Sequence, residues 1–194
     1  MRTNRCLGVA STHSINFALD LVLSFSADMV TMYSDHDAKQ STPLPDGDSI
    51  APMRQADLAA VHQLECASQQ EPWSLQHFAD ELDNPIASVN LYWHHAQLAG
   101  FLCSWLVAGE LQIQNLATLP AFRRRGVAVR LLEHVVTRSM AAGFSSAWLE
   151  VRLSNTPAIA LYERFGFSAC GKRPAYYPDG EDALIMTLDV VGSG

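Results

Sequence analysis

The chain has 194 residues, 48% of them apolar, and a formal charge of −7. That length and apolar content suit one globular domain with a proper core, with room for a tail beside it. The acidic balance argues against a nucleic-acid-binding surface and suits a basic or neutral partner.

Residues 1–48 read as an N-terminal extension or linker, poorly ordered. Residues 15–25 are apolar, but Asp20 interrupts the run and it is too short to span a bilayer, so no membrane segment is expected. Residues 34–49 are rich in Asp, Ser, Pro and Gly, as linkers are. Two readings of the extension stay open: a disordered or weakly helical appendage, or reading-frame sequence upstream of the true start. The domain itself is expected over residues 49–190, with a short tail at 191–194.

A strand over residues 50–53 opens the domain. A helix capped by Asp57 follows, with Leu58, Val61 and Leu64 inward, and a second helix starts at Ser74. Trp73, just before it, is either a core anchor or a ligand contact. Residues 89–93 and 98–107 read as strands around a turn at 94–97, and a third strand of the meander starts at Leu111. His94 and His95 read as exposed turn residues rather than ligands, because neighbouring strand residues face opposite ways. The four cysteines, Cys6, Cys66, Cys103 and Cys170, contain no C-x-x-C pair, so free thiols in the cytoplasm are expected, with no zinc site.

Gln112 and Gln114, between Leu111, Ile113 and Leu116, suggest a strand entering a site. After the loop Pro120-Ala121-Phe122-Arg123-Arg124-Arg125-Gly126, apolar residues recur at helical spacing: Val127, Leu131, Leu132, Val135 and Val136. Three arginines and a glycine before a helix put cations and orphan N–H groups together, which favours phosphate. The competing reading is a solvated basic turn. Neither G-x-G-x-x-G after a strand nor G-x-x-x-x-G-K-[ST] occurs, so a different phosphate ligand is required.

Gly143 ends that helix, and residues 147–152 form the next strand. Its alternation sets Trp148, Glu150 and Arg152 opposite Leu149 and Val151. On residue type alone, Glu150 is either a carboxylate paired with Arg152 or another strand-end arginine, or a catalytic group. Pro157 suits the first turn of a helix capped by Asn155 or Thr156 and ended by Gly166. By spacing, Tyr162 is a core aromatic with a hydrogen-bonded hydroxyl. Asp179-Gly180 signals a hairpin into a last strand over 183–188, and Tyr176 and Tyr177 suit a shield for a sheet edge.

Several of these motifs together resemble the GNAT acetyltransferases. They are Asn115-Leu116-Ala117-Thr118, the R-x-x-G-x-A element from Arg123 to Ala128, Trp148-Leu149-Glu150-Val151-Arg152, Ser154-Asn155, Ala160-Leu161-Tyr162-Glu163 and Gly166-Phe167. The run from Trp148 to Phe167, followed by Arg173-Pro174-Ala175-Tyr176-Tyr177-Pro178, narrows the likeness to the RimI type, the N-terminal alanine acetyltransferases of a ribosomal protein. The resemblance covers about residues 49–189. It implies a mixed α/β (α+β-like) GNAT fold, with a central, mostly antiparallel twisted sheet of about seven strands flanked by about four helices.

It also implies acetyl-CoA as co-substrate, with no metal. Leu116, Ala117 and Thr118 would bind the pantetheine arm, joined by Asn155. Arg124, Arg125, Gly126, Val127, Ala128 and Val129 would surround the pyrophosphate. Glu150 would be the general base and Tyr162 the proton donor to the thiolate, with Trp73, Tyr176 and Tyr177 on the acceptor side. Glu71 departs from the family pattern, which has an apolar residue before the proline.

The implied acceptor is a protein N-terminus, in particular an Ala-starting small-subunit ribosomal protein, met by a cytoplasmic monomer without nucleic acid or membrane. An α-amino group has a pKa of about 8 against about 10.4 for lysine, so a modest base suffices to free it. The alternatives are a GNAT enzyme of small amines or of other protein N-termini, and a non-catalytic acyl-CoA-binding module.

Overall fold

The computed structural model describes residues 44–189. The apolar segment at 15–25, most of the expected linker and the 191–194 tail lie outside the described residues. The strands are β1 (Asp48–Pro52), β2 (Ala87–His94), β3 (Gln97–Val107), β4 (Glu110–Thr118), β5 (Ser146–Arg152), β6 (Ser168–Arg173) and β7 (Ala183–Asp189). The helices are α1 (Leu58–Ser68), α2 (Leu75–Asp83), α3 (Val127–Ala141) and α4 (Thr156–Arg164). The seven strands run in the order β1-β2-β3-β4-β5-β7-β6, the mixed α/β architecture expected above. Contacts gather the described chain into two compact units, residues 44–149 with Asp189, and residues 150–188.

In the larger unit β1 to β4 are antiparallel neighbours, and β5 joins β4 in parallel from Glu110↔Ser146 to Ile113↔Leu149. Val89, Leu91, Phe101 and Cys103 form one apolar face with Ala117, and α1 and α2 cover it with Leu58, Val61, Leu64 and Phe78. Phe78 meets Phe101 edge-on at 5.3 Å, a favoured aromatic geometry. The opposite face takes α3, whose Leu131, Leu132 and Val135 are buried. Covered on both sides, β3 buries every residue from Leu98 to Ser104, which explains its nearly unbroken apolar run.

The register of β4 slips once. Cys103 faces Asn115 and Ser104 faces Ile113, so Gln114 is an extra residue, a β-bulge. Before it, Leu111 lines a small cavity with Val135 of α3; beyond it, Ala117 joins the α1 and α2 core. The bulge therefore turns the end of β4 over, and Asn115 comes to face α1.

The helix starts differ from simple expectation in one place. The second helix starts at Ser74 as expected, and Ser74 caps it, its Oγ accepting from His77 N–H at 3.1 Å. Asp57 does not cap α1 through its side chain, because a 3-10 turn at Gln55–Asp57 precedes the helix; its Oδ2 accepts from Arg54 N–H at 2.9 Å instead. His94 is likewise no free turn residue. It ends β2 with Nδ1 2.6 Å from Asp48 Oδ1, while Tyr92 Oη donates to Asp48 Oδ2 at 2.5 Å.

The smaller unit holds the end of β5, α4 and the antiparallel pair β6 and β7, registered from Ser168↔Thr187 to Arg173↔Ala183. Residues 174–182 connect that pair. The Asp179-Gly180 turn lies inside this longer connection, where Gly180 N–H donates to Tyr177 O at 2.8 Å.

Gly100 of β3 sets how closely α3 approaches. A Cβ there would stand 2.7 Å from Val127 Cγ1 and 2.8 Å from the carbonyl oxygen of Ala117, and the latter is backbone that cannot swing aside. Gly100→Ala is therefore expected to cost about 1–3 kcal/mol by overpacking. Denaturant unfolding measures this, and an unchanged midpoint would contradict it.

Candidate active site

In the larger unit the informative place is the start of α3. Pro120–Phe122 make a 3-10 turn that buries Phe122, and the chain then passes Arg124 and Gly126 with φ of 63° and 84°. Glycine adopts that left-handed conformation without strain, and a Cβ on Gly126 would meet no atom within 4 Å. The conformation, not crowding, therefore calls for glycine here.

The first helical bond of α3 runs from Arg130 N–H to Gly126 O at 3.0 Å. No side chain caps the helix and its first turn holds no acidic residue. Val127, Ala128 and Val129 thus begin a helix with orphan donors at the positive end of its dipole, which suits an anion.

The three arginines divide their work. Arg123 is a brace: its Nη2 donates to Ser68 O at 3.1 Å and its Nε to Thr118 O at 3.4 Å, tying the ends of α1 and β4 together. Arg125 lies over the Phe122 ring at 5.3 Å. Arg124 and Arg125 are exposed, and among the described residues no carboxylate pairs with either.

Leu116, Ala117 and Thr118 end β4 beyond the bulge, past the β5 ladder described above. The Thr118 carbonyl is engaged, since Ser68 Oγ also donates to it at 3.3 Å. Trp73 stands nearby in the fold of α1 and α2, half-buried. Its ring stacks on His77 at 3.8 Å and tilts against Phe78 at 5.5 Å, so it anchors α2 while keeping part of its surface open.

The same unit holds a carboxylate that the sequence reading did not single out. Glu65 of α1 is 1% exposed. Its Oε1 accepts from Trp73 N–H at 3.1 Å and from Asn115 Nδ2 at 2.9 Å, and Gln69 Nε2 donates to Asn115 Oδ1 at 3.3 Å. Burial raises its pKa above the usual carboxylate value, with the two hydrogen bonds opposing. A signal for it existed: Glu65 follows Leu58 by seven and Val61 by four, on the inward face of α1.

In the smaller unit Glu150 lies near the end of β5, between the buried Val151 and the partner arginine of the next strand pair. That partner is Arg173 rather than Arg152. Arg173 Nε is 2.9 Å from Glu150 Oε1, a charge contact whose N–H points elsewhere, because that buried oxygen has no hydrogen-bonding partner. A hydrogen bond with Glu150 is the main cause raising the Tyr176 pKa, and Arg173 lies over the Tyr176 ring at 5.5 Å. Tyr176 itself is 46% exposed.

Arg152 goes to the 174–182 connection. Its Nη1 contacts Asp179 Oδ2 at 2.8 Å and Glu181 Oε2 at 2.9 Å, and its guanidinium lies 3.9 Å from the Tyr177 ring centroid. Burial pushes the Tyr177 phenol up to about 12.

Tyr162, in α4, is buried, edge-on to Phe167 at 5.9 Å. Burial and the nearby Tyr177 push its phenol well above the ordinary value, so it keeps its proton at neutral pH. Asn155 caps α4, its Oδ1 accepting from Ala158 N–H at 3.3 Å. Its amide nitrogen has no role in that cap. Among the described residues, no group of three or more His, Cys, Asp or Glu could hold a metal ion, and no helix is long and apolar enough to cross a membrane.

These arrangements can be set beside known proteins. The model of the acetyltransferase (GNAT) family matches residues 58–167. The [ribosomal protein bS18]-alanine N-acetyltransferase of Escherichia coli K12 is 36% identical over 145 residues, covering 73% of this chain and 97% of the relative. A putative enzyme of the same description from Bacillus subtilis 168 is 35% identical over 144 residues, 73% of this chain and 95% of the relative.

Among solved structures, the E. coli ribosomal-protein-S18-alanine N-acetyltransferase superposes with a TM-score of 0.71 at 35% identity, over 76% of this chain and 96% of that one. Arabidopsis thaliana NAA60 in complex with acetyl-CoA shares the fold, with a TM-score of 0.68 at 19% identity, over 75% and 99% of the two chains. The chain belongs to the GNAT acetyltransferase family, whose enzymes transfer an acetyl group from acetyl-CoA.

Proposed function

We propose that the protein acetylates the N-terminal α-amino group of a protein, in particular an Ala-starting small-subunit ribosomal protein. The observation that carries this reading is the match, over nearly the whole length of the relatives, to enzymes named for alanine acetylation of ribosomal protein bS18. The catalytic domain is residues 49–190, and the enzyme works as a cytoplasmic monomer that binds neither nucleic acid nor membrane. The acidic chain favours a basic acceptor, as ribosomal proteins commonly are.

Acetyl-CoA supplies an activated acetyl thioester. The orphan N–H groups of Val127, Ala128 and Val129, with Gly126 and the free cations of Arg124 and Arg125, are donors of the kind a diphosphate needs. The end of β4, Leu116 to Thr118, lies beyond the β5 ladder and so offers N–H groups to a pantetheine arm. One of these, at Leu116 or Ala117, polarises the thioester carbonyl. Asn155 uses its oxygen for the α4 cap and has an amide nitrogen left to donate.

Glu150 takes the proton of the acceptor amine, directly or through one water. In the uncomplexed protein Tyr176 and Arg173 occupy its carboxylate, so the entering amine exchanges places with the Tyr176 hydroxyl. Tyr162 delivers its proton to the departing thiolate, and its burial keeps that proton in place until then. Trp73, Tyr176 and Tyr177 line the acceptor side, where rigid amphipathic rings suit recognition of a peptide backbone.

Glu150→Gln and Tyr162→Phe are each expected to lower turnover by roughly 10²–10⁴-fold while acetyl-CoA affinity stays near wild type. Steady-state rates and calorimetry check this, and undiminished turnover in both variants would remove the assigned roles. Arg124→Ala is expected to weaken acetyl-CoA by about tenfold through one lost charge-assisted contact, with the unfolding midpoint unchanged. Equal CoA affinity in that variant would move the diphosphate elsewhere. The acceptor is decided by incubation with acetyl-CoA and a panel of N-terminal hexapeptides, free amino acids and polyamines. Preference for an Ala-initial ribosomal peptide supports the proposal, and activity confined to small amines contradicts it. Glu71, where the resemblance implies an apolar residue before the proline, is the feature that favours the second outcome.

A further inference from the structure

A cavity of about 180 Å³ lies against the C-terminal half of α3, wholly within the larger unit. A space of that size holds a body about as large as a benzene ring. Its mouth is open, since Ile86, Ser88 and Arg138 line it and are exposed.

The interior is polar where packing alone calls for apolar side chains. The buried stripe of α3 runs through Leu131, Leu132 and Val135 and then, one turn on, reaches Ser139. Ser104 of β3 lines the same space. Ser139 is 7% exposed and Ser104 3%, yet among the described residues neither hydroxyl has a hydrogen-bonding partner. Neither oxygen is sealed from solvent, because the sealed side-chain oxygens without a partner are those of Glu65 and Glu150. The two hydroxyls therefore face the cavity. Asn90, also buried, adds to the polar wall and donates its amide to Ser88 Oγ at 3.0 Å. A buried hydroxyl left without a partner is costly, so a helix–sheet contact with no ligand to serve is better made with alanine or valine.

The charge at the mouth has one sign. Arg138 stands in the last turn of α3, and among the described residues no carboxylate pairs with it. No acidic residue lines the cavity, so an anion meets a counter-charge there and a cation meets none. Leu111 and Val135, both buried, supply an apolar wall for the remainder of a ligand. We propose that this cavity binds a small monocarboxylate with a short aliphatic body, its carboxylate held by Arg138 and the two serine hydroxyls. The site is distinct from the diphosphate cradle, because Ser139 lies about 18 Å along α3 from Val127. It depends on neither the cofactor nor the acceptor assignment.

The test titrates butanoate, hexanoate, octanoate and the neutral hexanamide into the full chain by calorimetry, to about 10 mM, with and without saturating acetyl-CoA. The expected result is saturable binding of at least one acid, with hexanamide roughly tenfold or more weaker than hexanoate and acetyl-CoA without effect on either. Arg138→Gln, an exposed change, is expected to weaken the acid by roughly tenfold or more, as for loss of one charged hydrogen bond. Ser139→Leu fills the cavity and is expected to abolish binding, while acetyl-CoA affinity is held in both variants. Absence of saturation by all three acids, equal affinity for hexanoate and hexanamide, or displacement of the acid by acetyl-CoA would each overturn the proposal. So would undiminished acid binding in Arg138→Gln, a comparison that decides the matter even where Ser139→Leu fails to fold.

Discussion

A helix that opens on a left-handed glycine has no side chain of its own to satisfy its first amides. In this protein that constraint sits at Gly126, and its surroundings follow from it. Phe122 is buried to anchor the turn, Arg123 fastens the turn to the carbonyls of Ser68 and Thr118, and Gly100 lets Val127 settle against β3. The unsatisfied donors are thereby held in a rigid frame, ready for an anionic ligand without reorganisation when it binds.

The bulge at Gln114 gives β4 a second function. By inserting one residue it turns Asn115 toward α1, where Asn115 meets Glu65 and Gln69, and it carries Leu116 to Thr118 beyond the parallel ladder. One irregularity of register thus shapes both the neighbourhood of α1 and the exposed end of β4. In the other unit the arginines perform comparable positioning: Arg152 holds the 174–182 connection through Asp179 and Glu181, and Arg173 stands against Glu150 and Tyr176.

Much of this is legible in the sequence. Apolar spacing located α1 through Leu58, Val61 and Leu64, and α3 through Leu131, Leu132 and Val135, because burial at helical period leaves a plain trace. The start of α2 at Ser74, and a cap of α4 at Asn155 or Thr156, are legible from local residue type. Asp57 stands at the N-cap position of α1, as the capping rule places it, but its carboxylate turns back to Arg54 N–H because a 3-10 turn precedes the helix, which the rule does not see. His94 reads as a turn residue along the chain because its partner, Asp48, lies on another strand, and cross-strand pairs have no signature in sequence. The bulge at Gln114 was hidden for a related reason, since alternation of residue type continues across it while the faces exchange. Gly100 and Arg173 matter through neighbours distant in sequence. Glu65 has a local mark, a carboxylate at the inward spacing of α1, which the expectation that charged residues face outward conceals.

The proposed site has a CoA diphosphate resting on the amides that open α3. The most direct measurement is amide chemical-shift perturbation in isotope-labelled protein titrated with acetyl-CoA. The account predicts the largest changes at residues 124–129, with a second group at 116–118, saturating together. Saturable binding that leaves the 124–129 amides unmoved would contradict it.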